Sequence, residues 1–107
     1  MNQFDDLLQR VSLLNAQLVP IEHSIGSEAR MALYTQLWRI VELLNQQLAL
    51  GLDNSALGLT VINGRLAIHY FSGVGGSADE EVTLLIDRSH RVERHTKNLR
   101  TGQVTVA

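Results

Sequence analysis

Four histidines, five closely spaced basic residues and one glycine-rich stretch are the parts of this chain with the means to do chemistry. A metal site needs imidazoles and carboxylates gathered on one face. His23 stands beside Glu22 in a connecting stretch. His90 and His95 are five residues apart, so a straight strand turns them to opposite sides. A contact between Asp87 and His90 across a turn is the closest approach to a ligand pair, and the expectation is no bound metal. His69 falls in an apolar segment and is the residue a pocket would use.

Acid–base or nucleophilic catalysis needs a nucleophile and a base held together, or two carboxylates in different environments. Ser89 and His90 are adjacent and point apart on a strand. Ser77 with Asp79 is ordinary loop composition, and Asp79, Glu80 and Glu81 read as a solvated run before a strand. The absence of cysteine excludes thiol chemistry. No reaction is named by these residues, so the expectation is a non-enzymatic chain without a cofactor. A small enzyme is the alternative, with a pocket between helices and sheet or at a dimer interface, lined by His69.

Gly73, Gly75 and Gly76 resemble a phosphate cradle only in part. The dinucleotide fingerprint needs a third spaced glycine opening a helix, but position 78 is Ala and strand-like sequence follows. A P-loop needs a lysine that is absent beside Gly76 and Ser77. The stretch therefore predicts a mobile connection between strands. Arg88, Arg91, Arg94, Lys97 and Arg100 are opposed only by Glu93 within their span. On a strand Arg88, Arg94 and Arg100 face one way and Arg91 and Lys97 the other, a charged edge that discourages unwanted pairing. A nucleic-acid-associated accessory protein acting through this segment is the runner-up function, ahead of the enzyme. Recognition of that kind usually adds aromatic platforms or a reading helix, and Tyr34, Trp38, Tyr70 and Phe71 are better assigned to core or interface.

Composition sets the frame for these residues. With 107 residues, 45% hydrophobic and 19% charged, the chain is too apolar for disorder and of a size for one domain spanning 1–107. Lack of cysteine excludes a disulfide scaffold, and no apolar run approaches the roughly 20 residues of a membrane span. Net charge is −2, so no general attraction to nucleic acid or anionic membrane is expected. Residues 1–57 hold three bases against six acids, and 58–107 hold six against five. The polar, acidic opening lacks a secretory pattern, which gives a cytoplasmic location as the expectation.

Two helices are predicted first, over about 3–19 and 28–50. Phe4, Leu7, Leu8, Val11, Leu14 and Leu18 recur at helical spacing, with Asn2 as N-cap, until Pro20 stops them. Ser27 caps the second helix, whose stripe is Leu33, Leu37, Ile40, Val41, Leu44 and Leu48, widened by Tyr34, Trp38, Leu43 and Leu50. Gly51 is its expected left-handed terminator.

The period then changes to two. Asn63 and Gly64 predict a two-residue hairpin turn that pairs Leu59 with Ile68, Val61 with Leu66 and Leu57 with Tyr70. Strands are expected at about 56–62, 65–71, 81–87 and 91–98, with Arg88 and Ser89 as the second turn, Val92 opposite Leu85 and Val82 opposite His95. A turn near Thr101 and Gly102 would let 103–106 finish the sheet. The fold class is α+β: an N-terminal helical hairpin packed on a C-terminal antiparallel meander of about four strands. The second helix is apolar over much of its circumference, and its polar remainder is largely Gln and Asn. That pattern predicts a homodimer or other protein contact through Tyr34, Trp38 and Val41, and a small interaction or accessory protein acting through its helical surface.

Overall fold

The computed structural model describes residues 3–21, 23, 26–52, 58–72 and 79–107. Two helices precede a five-stranded antiparallel sheet, an α+β arrangement with five strands rather than about four, the fifth falling in the 103–106 stretch that the turn near Thr101 and Gly102 was expected to free. The chain divides into two compact units, Met1–Leu52 and Asp53–Ala107.

In the first unit, α1 (Gln3–Leu18) and α2 (Glu28–Leu48) pack against each other. α1 buries Phe4, Val11, Leu14 and Leu18, which recur at three, four and seven residues and so share one face. The helix stops one residue before Val19, as Pro20 requires, and passes into a single 3-10 turn, Val19–Ile21. Ser27 caps α2 as expected: its side chain accepts the Arg30 backbone N–H at 3.3 Å. Asn2, the expected cap of α1, lies outside the described residues. α2 buries Leu33, Leu37, Ile40, Val41 and Leu44, while Leu43 points outward. Among the described residues no helix is long and apolar enough to cross a membrane.

The end of α2 differs from the sequence reading. Gly51 is left-handed as expected, at φ 68°, but the helix is capped two residues earlier by Ala49, at φ 50° and ψ 51°. Asn45 explains the early stop. Its side-chain amide donates to the Leu52 carbonyl and its Oδ1 accepts the Leu52 N–H, both at 3.1 Å, while its own carbonyl accepts from Leu50 at 3.2 Å. A side chain with a Cβ pays about 1–2 kcal/mol in that backbone region, against the 0.4–1 kcal/mol of extra unfolded-chain freedom a glycine brings. Ala49→Gly is therefore expected to raise the thermal midpoint by a few degrees, and a fall on calorimetry would contradict the cap.

In the second unit the strands are β1 (Gly58–Ile62), β2 (Arg65–Ser72), β3 (Glu80–Ile86), β4 (Val92–Asn98) and β5 (Val104–Val106), in that spatial order. Asn63 and Gly64 both take positive φ, 50° and 74°, as a type I′ turn requires. Leu59 pairs with Ile68 and Val61 with Leu66, as the turn predicts, whereas Leu57 lies outside the described residues. Leu59, Leu66, Ile68, Val82, Leu84 and Ile86 share one face and are buried. On the other face Ala67 and Leu85, opposite each other on the central strands, are buried as well.

The second hairpin is shifted by one residue from expectation. Val92 lies opposite Ile86 rather than Leu85, and Val82 opposite Thr96 rather than His95. The loop holds one extra residue. Asp87 N–H donates to the Arg91 carbonyl at 3.1 Å across Arg88, Ser89 and His90, and His90 supplies the positive φ of 64°. This is the geometry of a three-residue hairpin loop, a turn followed by a left-handed residue. The Asp87 carboxylate holds it by accepting from the Ser89 and Arg91 N–H groups at 2.9 and 3.0 Å. A slip of one residue exchanges the two faces of a strand, so β4 presents the opposite set of side chains to each side. β4 is also not an edge, because β5 pairs with it along His95–Lys97.

Candidate functional site

The polar face of the sheet gathers more ionisable groups than any single sequence motif announced. One row across it reads Gly58, His69, Thr83, His95 and Val106. His69 Nε2 lies 2.8 Å from Glu81 Oε1, and its ring meets Phe71 edge-on with centroids 5.2 Å apart. His95 Nε2 lies 2.8 Å from Glu93 Oε1, and Glu93 Oε2 accepts from Arg65 at 3.3 Å. Arg65 stands on β2 and Glu93 on β4, so the guanidinium reaches over β3 beside Leu85. Two short chains result, Phe71–His69–Glu81 and Arg65–Glu93–His95, with the Thr83 hydroxyl position between the imidazoles.

In each histidine Nε2 is engaged by a carboxylate, and the side chains are about one-third exposed, 39% for His69 and 33% for His95. Ion pairs at that exposure contribute about 0–1 kcal/mol each, enough to fix side-chain directions and little more. Among the described residues no group of three or more His, Asp or Glu is placed to hold a metal ion. The β2–β3 register brings His69 to Glu81, and alternation along β4 alone puts Glu93 and His95 on one side. The three-residue loop at 88–90 sets the β3–β4 register that places this second pair on the same face as the first and within reach of Arg65. Sequence reading therefore missed Arg65, Glu81, Glu93 and His95 as a set. His69 belongs to this polar face, not to the face bearing most of the sheet's buried residues.

The basic residues at 88–100 are dispersed. Arg88 lies in the loop before β4 and Arg91 just ahead of the strand. Arg94 and Lys97 project from opposite faces of β4, three positions apart. Arg100 sits in the turn after it, bridged to Asp79 at 3.2 Å. The glycines at 73–76 lie outside the described residues.

On α2 the outcome is different. Arg30, Tyr34 and Trp38, each four residues from the next, form a continuous column. The Arg30 guanidinium carbon lies 5.1 Å from the Tyr34 ring centroid, and the Tyr34 and Trp38 rings stack at 6.0 Å with 25° between planes. Trp38 is 43% exposed and Met31, seven residues earlier and on the same side, 50%. Val41, grouped with Tyr34 and Trp38 on sequence, is only 3% exposed and faces inward. Arg30 Nε is buried and lacks a hydrogen-bond partner among the described residues. The sequence signal for this column was the i,i+4 spacing of Tyr34 and Trp38; Arg30 and Met31 extend it. Compared with known proteins, the chain matches no family model, no curated protein and no solved structure.

Proposed function

We propose that this chain is a small interaction module that associates with itself through the exposed aromatic face of α2, and that it works in the cytoplasm as an accessory protein rather than as a catalyst. The observation that carries this reading is Trp38. A large aromatic ring stacked on Tyr34 stays 43% exposed, beside an equally exposed Met31, on a helix whose other large aliphatic residues are mostly buried. Aromatic residues, methionine and arginine are the types enriched at protein interfaces, and all of them meet here.

Light scattering across a concentration series tests it. The expected mass is twice the 11.9 kDa of the chain, falling toward the single-chain value only on dilution. A constant 11.9 kDa would overturn self-association.

A further inference from the structure

The column on α2 has a fourth member. Glu42 follows Trp38 by four residues, is exposed, and makes no hydrogen bond or ion pair among the described residues. Arg30, Tyr34, Trp38 and Glu42 thus form one i±4 ridge, about 18 Å long, with a cation at one end and an anion at the other. Such a ridge is its own complement in one direction only. Laid antiparallel against a copy of itself about Gln36, it sets Arg30 opposite Glu42 and Tyr34 opposite Trp38. Laid parallel, it sets like charges together at both ends.

We propose that two copies of the chain pair antiparallel along α2 in this register, an inference that rests on the α2 face being the working surface. The charge placement favours it for a second reason. Arg30 lies in the first turn of α2, where unpaired backbone N–H groups and the helix dipole disfavour a cation. Its guanidinium carbon lies 5.1 Å from the Tyr34 ring centroid, which holds the cation at the head of the column. The carboxylate of Glu42 from the second copy arrives at that end with the charge both the guanidinium and the helix terminus call for. The same contact occurs twice, once at each end of the seam. Four stacked aromatic rings, two from each copy, fill the middle.

Charge reversal reads the register directly. Arg30→Glu and Glu42→Arg are each expected to be monomeric by light scattering, because each homodimer would carry two like-charge contacts. An equimolar mixture of the two is expected to regain twice the 11.9 kDa mass, since both contacts become opposite again in the heterodimer. Circular dichroism accompanies each variant. Should Arg30→Glu lose its helical signal, Glu42→Arg alone decides: its dissociation constant is expected to rise at least tenfold in low salt and to recover in high salt. Single variants that stay dimeric, or a mixture of folded monomers that fails to pair, would overturn this register while leaving the aromatic face as the interface. A monomeric unmodified chain would overturn both.

Discussion

Ile68→Ala is expected to cost about 2–5 kcal/mol of folding stability, the range for truncating a fully buried aliphatic side chain. Ile68 is inaccessible to solvent on a central strand, between Leu59 on one side and Leu84 on the other, and Leu66 and Ile86 close the same layer. Backbone pairing on both edges of β2 prevents the strand from collapsing into the space left behind. Domains of this size are stable by about 5–15 kcal/mol, so one substitution removes a large share. The urea midpoint should fall steeply with the slope of the transition unchanged. A loss below about 1 kcal/mol would mean that Ile68 is not part of a packed layer.

Trp38→Glu is expected to abolish self-association and leave the helices intact. Interface aromatics of this kind cost about 2 kcal/mol or more on truncation, which is roughly a 30-fold rise in dissociation constant. Burying an unpaired carboxylate against the facing Tyr34 adds to that. In the single chain the residue is 43% exposed, so a charge there meets water and the fold tolerates it. The measurement pairs light scattering with far-ultraviolet circular dichroism. A dimer that survives the change would move the interface elsewhere, and a lost helical signal would make Trp38 core.

Where the sequence and the structure agree, a short-range signal was sufficient. Asn63 and Gly64 specify positive φ at two successive positions, and that alone sets the β1–β2 register residue by residue. Pro20 and Ser27 mark helix ends by chemistry confined to one residue, a missing N–H and a capping hydroxyl. The second hairpin was not legible in the same way. Its left-handed position is filled by His90, a residue type that gives no turn signal, and the loop is held by a carboxylate accepting two backbone N–H groups. The end of α2 was hidden for a related reason: Asn45 bonds to Leu52, seven residues away, and Ala49 takes the strained position a glycine would advertise.

The candidate sites divide along the same line. Tyr34 and Trp38 were visible because helical spacing alone brings them together. Val41 shares their spacing, yet sits on the buried side of the helix, and a stripe wide enough to hold both cannot tell them apart. The His69–Glu81 and His95–Glu93 pairs lie on one face through a register that the sequence signals alone did not set. Strand alternation was enough to separate Arg94 from Lys97 in the sequence, whereas the positions of Arg88 and Arg100 in the turns at either end of β4 were not legible there.

Each strand of the sheet neighbours only the strand made immediately before it and the one made immediately after. During synthesis no strand has to hold its backbone edge open for a distant partner strand still to emerge. β1 closes on β2 through a two-residue turn, and every later strand docks onto an edge already in place. Loop closures of this kind are short and carry little entropic delay. On the ribosome the sheet can therefore grow by one ladder at a time, and the edges exposed to wrong pairing as the chain lengthens are the outer side of β1 and the advancing strand.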